Sequence, residues 1–105
     1  SAENFNQDLS QWDVSSVTDM QSMFGYTKVF NQDLSNWDVS NVTTMSTMFY
    51  NAESFNSNIS SWDVSSVTDM DSMFGYTIVF NQDLSTWDVS SVINMKYMFY
   101  NAEIG

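Results

Sequence analysis

The sequence contains no cysteine, histidine, proline or arginine, and only two lysines and three glycines in 105 residues. Without cysteine there is no disulfide framework, no thiolate nucleophile and no cysteine-ligated zinc, and the redox compartment stays open. Without imidazole, a general base would have to be a carboxylate, and a serine or threonine nucleophile would lack its usual partner. Lys28 and Lys96 face 13 acidic side chains, for a formal charge of -11. A chain so charged repels phosphate, which argues against nucleic acid and anionic lipid as partners. No run approaches 18 apolar residues, so membrane insertion is not expected. Ser1-Ala2-Glu3-Asn4 also lacks the basic and apolar regions of a signal peptide.

What is present points to a folded chain. Hydrophobic residues make up 43% and aromatics 16%, far above what a disordered acidic tail carries. The length suits one domain, 1–105, with one modest core. The dominant feature is a repeat of 25 residues. The segment from Phe5 to Phe24 begins again at Phe30, Phe55 and Phe80, giving repeats 5–29, 30–54, 55–79 and 80–104. Phe5, Asn6, Ser10, Trp12, Asp13, Val14, Ser15, Val17, Met20, Met23 and Phe24 recur unchanged in all of them.

Hydrophobic spacing changes within each repeat. Val17, Met20, Met23, Phe24 and Thr27 lie three, four and seven apart, which predicts helices near 17–26, 42–51, 67–76 and 92–101. Ser16 with Asp19 reads as a capping box for the first, and Asn41, Ser66 and Ser91 start the others. Trp12 and Val14 alternate around Asp13, which predicts short strands near 12–14, 37–39, 62–64 and 87–89. Neither element is stable alone, so the repeats should stack. Strands would pair in parallel about 4.8 Å apart, with the helices lined up opposite. The expected fold class is therefore α/β, a solenoid of four strand-turn-helix repeats with one parallel sheet.

The run Phe-Asn-Gln-Asp-Leu-Ser-x-Trp-Asp-Val-Ser-x-Val-Thr-x-Met-x-x-Met-Phe resembles the repeat of the BspA-like, leucine-rich-repeat-related surface proteins, abundant among mycoplasma-type lipoproteins. The likeness covers essentially the whole chain and is most specific in Trp-Asp-Val-Ser and Met-x-x-Met-Phe. Leu9, Trp12 and Val14 also follow the leucine-rich-repeat spacing. The resemblance implies a right-handed solenoid at a cell surface, used extracellularly for adhesion or recognition of a protein or glycan, with no catalytic residue carried over. Asn6, Asn31, Asn56 and Asn81 recur at one position and offer a ladder.

Several columns invite separate readings. Trp12, Trp37, Trp62 and Trp87 read as core beside Val14, each indole N–H bonded to a neighbouring carbonyl or serine hydroxyl, rather than as a sugar-binding row. Met20 and Met23 share the face of Val17 and Phe24 and read as filling between helix and sheet. A repeated Asp column offers identical environments where paired-acid catalysis needs different ones, so no enzyme is expected. Asn41-Val42-Thr43 and Asn58-Ile59-Ser60 match glycosylation sequons in a composition where chance matches are common. The Ser and Thr rows suggest ice binding only weakly, because acidic residues interrupt them.

A slower period of 50 overlies the repeat: Gly25-Tyr26-Thr27, Tyr50-Asn51-Ala52, Gly75-Tyr76-Thr77, Tyr100-Asn101-Ala102. It predicts that Tyr50 fills room left by Gly25 and Gly75. Asp13, Asp38, Asp63 and Asp88 should stack on the outer surface, either capping turns through the following serines or, with Asp8, Asp33 and Asp83, binding Ca²⁺. No other cofactor is implied. Ala2-Glu3 and Ala102-Glu103 stand in the same register, as in a piece of a longer array. Ile93, Tyr97 and Ile104 make the last repeat the least polar, and Ile93 with Tyr97 reads as a patch for end-to-end self-association. The functional expectation is a non-catalytic cell-surface binding or adhesion module. The alternatives are a structural spacer or stalk, a calcium-binding repeat and an ice-binding surface.

Overall fold

A computed structural model describes residues 3–102, and within them the backbone forms neither α-helix nor extended strand. Its regular unit is a coil of β-turns. In the first coil Trp12 N–H donates to Leu9 C=O, Val17 to Val14, Met23 to Met20, Gly25 to Ser22 and Thr27 to Phe24, at 3.0–3.3 Å. The same five bonds recur 25, 50 and 75 residues later. Between these turn bonds the chain reaches the next coil. Met20, Ser22, Phe24 and Tyr26 donate their N–H groups to the carbonyls of Thr44, Ser46, Met48 and Tyr50 at 2.8–3.1 Å. Alternate amides thus close turns or join coils, so both sets of backbone groups are used.

This arrangement corrects the expected α/β class. The helices near 17–26, 42–51, 67–76 and 92–101 do not form. Ser22, Tyr26, Thr47, Asn51, Ser72, Tyr76, Tyr97 and Asn101 have φ of 52–61°, and two left-handed residues per coil interrupt any right-handed helical run. The three- and four-residue spacing of Val17, Met20, Met23, Phe24 and Thr27 comes instead from overlapping turns 20–23, 22–25 and 24–27, which also return side chains to one side. Ser16 and its counterparts consequently cap no helix.

The strands near 12–14, 37–39, 62–64 and 87–89 are likewise absent, and with them the sheet of the leucine-rich-repeat-like solenoid. Turns ending at Trp12 and beginning at Val14 occupy that segment, so Trp12 N–H and Val14 C=O, which a ladder would need, bond within the coil, and side chains bond the flanking backbone. Asp13 accepts from Ser15 N–H, and Trp37 Nε1–H donates to Leu9 C=O. Parallel pairing survives as isolated bridges joining Asp19, Thr44, Asp69 and Asn94. Ala2, Glu103 and Ile104 lie outside the described residues.

The core is a column of aromatic rings. Phe24, Phe49, Phe74 and Phe99 stack at 5.5–5.6 Å between centroids. Phe5, Phe30, Phe55 and Phe80 form a parallel column at 5.6–6.1 Å. Contacts of 4.1–4.4 Å, such as Phe49 with Phe55, lock the two together. Leu34, Val39, Met45, Met48, Met70 and Met73 are buried around them. Trp37, Trp62 and Trp87 are buried as expected, and their indoles donate to the carbonyls of Leu9, Leu34 and Ile59 at 2.9–3.0 Å. Trp12, in the first coil, is 56% exposed. Among the described residues no buried side-chain nitrogen or oxygen lacks a hydrogen-bond partner. The Asp, Asn and Tyr positions are thereby presented as rows on a packed support.

Candidate functional site

The most developed outward feature is a row of tyrosines that follows from the 50-residue alternation. Tyrosine occupies adjacent positions in successive coils, so Tyr26, Tyr50, Tyr76 and Tyr100 zigzag along the stack. Their rings meet edge to face with centroids 5.6, 5.4 and 5.7 Å apart, and Tyr97 meets Tyr100 at 5.5 Å. This geometry suits the aromatic quadrupole. Tyr26 and Tyr76 adopt positive φ at the position where Asn51 and Asn101 stand in the other coils. Asparagine tolerates that conformation far better than tyrosine, so the ring contacts and the cross-coil amide bonds help hold Tyr26 and Tyr76 there.

Gly75 lies under the row. A Cβ at that position would come within 3.2 and 3.3 Å of the Tyr50 ring, as the large-faces-small reading expects. A Cβ at Gly25 would instead meet the backbone carbonyls of Ser22, Thr47 and Tyr50 at 3.4–3.8 Å, so Tyr50 packs against one of its two expected glycines. Two shallow clefts open along the row. One of about 310 Å³ is lined by Tyr50, Ser72, Tyr97 and Tyr100, and one of about 230 Å³ by Tyr26, Tyr50, Asn51 and Tyr76. Burial, with smaller effects from Tyr76, Tyr26 and Tyr100, raises the Tyr50 phenol above its usual value. Beside the row, the hydroxyls of Ser22 and Thr47 share a hydrogen bond of 2.6 Å. The alternation signalled these tyrosines in the sequence, but it was legible there as packing rather than as a surface.

The Asp column is exposed. Oδ1 of Asp13, Asp38 and Asp63 accepts both the N–H and the Oγ–H of the serine two residues on, at 3.0 and 2.6 Å. Oδ1 of Asp88 accepts Ser90 N–H at 3.0 Å. Serine hydroxyl and backbone donors hold all four carboxylates below their ordinary pKa, while Asp38 and Asp88 partly oppose this at Asp63. Asp8, Asp33 and Asp83 are lowered in the same way by Ser10, Ser35 and Ser85. Among the described residues no three acidic side chains converge into a group able to hold a metal ion.

The asparagine ladder expected from the sequence is present. Asn6, Asn31 and Asn56 each accept, through Oδ1, the backbone N–H of the asparagine one coil on, at 2.8–3.0 Å. Ile93 is 89% exposed and Tyr97 60%. No helix joins them, and Tyr97 instead extends the tyrosine row.

These features define a stacked-repeat protein whose outward chemistry is arranged in rows on a rigid support. The chain belongs to the family described as Mycoplasma protein of unknown function, DUF285, which matches residues 1–62 and again 34–104. No curated protein and no solved structure matches it. Among the described residues no helix is long and apolar enough to cross a membrane.

Proposed function

We propose that the chain is a non-catalytic recognition module of a cell surface, and that it engages an extracellular protein or glycan through its tyrosine row. The observation that carries this reading is the exposure of Tyr26, Tyr76, Tyr97 and Tyr100, at 36–60%, on a scaffold whose buried side-chain nitrogens and oxygens are all hydrogen-bonded among the described residues. Rigid tyrosines supply large amphipathic contact area at low entropic cost, and that is why they are enriched in recognition surfaces. A charge of -11 favours neutral or basic ligands over sulfated ones. Membership of a Mycoplasma family and the Trp-Asp-Val-Ser and Met-x-x-Met-Phe motifs support kinship with BspA-like surface proteins and an extracellular location.

The test is binding to a defined array of glycans and matrix proteins, using the chain and its Tyr26→Ala/Tyr76→Ala/Tyr100→Ala variant, with folding checked by thermal melting. The reading expects a ligand that the chain retains and the folded variant loses. Retention by both would place recognition elsewhere. No ligand for either would leave a structural spacer.

A further inference from the structure

The side of the stack that carries the tyrosines repeats every second coil, and its spacing fits one kind of ligand backbone. Resting on the reading of the tyrosine row as the recognition surface, we propose that the row takes a proline-rich segment of a partner protein in the polyproline II conformation, laid along the stack and carrying lysine or arginine. Tyr76, Ile78 and Val79 are 36%, 45% and 48% exposed in a coil with a neighbour on either side. Two coils away, Tyr26 and Val29 are 50% and 45% exposed. Buried Thr27 and Thr77 on one side, and buried Phe30 and Phe80 on the other, hold these residues outward as two apolar shelves. The coil between the shelves puts Asn51, Glu53 and Ser54 at the corresponding places. A cleft of about 230 Å³, lined by Tyr26, Tyr50, Asn51 and Tyr76, joins them.

The separation of the shelves sets the repeat a ligand must have. At the row itself Tyr26 N–H donates to Tyr50 C=O and Asn51 N–H to Gly75 C=O, at 2.8 and 2.7 Å. Pairing of this kind spaces parallel chains about 4.8 Å apart, so equivalent atoms on the two shelves lie about 9.6 Å apart. A polyproline II helix has three residues per turn and rises about 3.1 Å per residue, which returns a side chain to the same edge every turn of about 9.3 Å. Residues i and i+3 of such a segment therefore meet Tyr26 with Val29 and Tyr76 with Val79. An α-helix presents a side chain every turn of about 5.4 Å, and its middle turn would press on Asn51 and Glu53. An extended strand repeats on one face about every 6.7 Å and falls out of step with the shelves. A polyproline II backbone makes no internal hydrogen bonds, so its carbonyls can accept from the Asn51 amide and the tyrosine phenols at the cleft.

Charge selects within that class. Lys28, beside the first shelf, stands 4.0 Å from Glu3, which offsets it. Glu53 occupies the coil between the shelves and has no cationic partner among the described residues. A lysine or arginine placed between the two docked prolines reaches it while residues i and i+3 keep their shelves. The charge of -11 draws basic segments toward this surface and holds off acidic ones. A neutral glycan would gain no ion pair at Glu53. Proline-rich segments also lose little entropy on docking, because their backbone is already formed, and that suits a surface of shallow clefts.

The test is fluorescence anisotropy with a labelled peptide of Pro-Pro-Lys repeats, against Gly-Ser-Lys repeats of equal length and charge and against uncharged Pro-Pro-Gln repeats. The chain should bind Pro-Pro-Lys, with Pro-Pro-Gln about threefold weaker or more and Gly-Ser-Lys about tenfold weaker or more. Tyr76→Asn puts at that left-handed position the residue type of Asn51 and Asn101, so it should fold, and it should weaken Pro-Pro-Lys by about tenfold. Val79→Ser replaces it if it does not fold. Glu53→Gln should weaken Pro-Pro-Lys by about threefold and leave Pro-Pro-Gln unchanged. Equal binding of Pro-Pro-Lys and Gly-Ser-Lys would overturn the proposal by showing that charge alone attracts. So would Pro-Pro-Lys binding that the folded Tyr76 or Val79 variant leaves unchanged. Absence of Pro-Pro-Lys binding would overturn it too, and the tyrosine row would keep its role only if the array of glycans and matrix proteins gave a ligand lost with Tyr26→Ala/Tyr76→Ala/Tyr100→Ala.

Discussion

At the residue scale, the acidic side chains act as local acceptors rather than as a free negative stripe. Asn58 occupies the place of Asp8, Asp33 and Asp83 and accepts Ser60 N–H at 2.9 Å, and Asn94 replaces Asp69 and accepts Lys96 N–H at 3.0 Å. An amide oxygen therefore performs the same turn closure without charge. Asp63→Asn should leave the melting temperature nearly unchanged, because it keeps the acceptor and relieves repulsion from Asp38 and Asp88. Asp63→Ala should lower it. Equal curves for the alanine variant and the parent would mean that the carboxylate closes nothing.

The same hydrogen bonds set the response to acid. Seven carboxylates, on Asp8, Asp13, Asp33, Asp38, Asp63, Asp83 and Asp88, have folded pKa values below the model-compound value of 3.8. A depressed folded pKa contributes stability above the unfolded pKa, and that stability is lost as pH falls through the folded one. Melting temperature should thus fall below about pH 4. A rise there would show that mutual repulsion outweighs the serine bonds. Calcium in place of chelator should move the curve little, since serine donors already hold Oδ1 of each column carboxylate. A clear calcium-dependent rise would contradict this.

At the element scale, the coil shows which signals in the sequence could be read and which could not. The period, the buried Phe, Met and Trp columns, the asparagine ladder and the Asp-x-Ser closures were all legible, because each depends on one residue type recurring at one position. The turn-built backbone was not. Offsets of three and four arise from overlapping β-turns as readily as from a helix, and nothing about Ser22, Thr47 or Tyr76 announces a left-handed φ. For the site, the tyrosine alternation was visible, but its exposure depended on the coil bending at those residues. The packing beneath the row gives a sharper contrast between the two glycines. Gly75→Ala presses on the Tyr50 ring, which Tyr26 and Tyr76 hold in place, whereas Gly25→Ala makes near-ordinary contacts with backbone. The first should destabilise by about 1 kcal/mol or more and the second by less, as read from chemical denaturation. Equal losses would detach Tyr50 from Gly75.

At the scale of the whole molecule, stability resides in the contacts between coils, so identical residues differ in worth by position. Trp62 is 3% exposed, bonds to Leu34 C=O and stacks on Trp87 at 6.5 Å. Trp62→Ala should cost about 3–5 kcal/mol, a large share of the stability of a domain this size. Trp12→Ala, at a position 56% exposed, should cost well under half of that. Calorimetry finding equal losses would contradict the difference in burial between Trp62 and Trp12.

The central claim is that each coil is joined to the next by backbone hydrogen bonds across 24 residues, and NMR couplings through hydrogen bonds test it most directly. The amides of Met45, Thr47, Phe49 and Asn51 should couple to the carbonyl carbons of Asp69, Asp71, Met73 and Gly75, their acceptors at 2.7–3.0 Å. Couplings from the same amides to carbonyls four residues earlier, such as Thr47 to Thr43, would mean that the segment is a helix and that the turn-built stack does not exist.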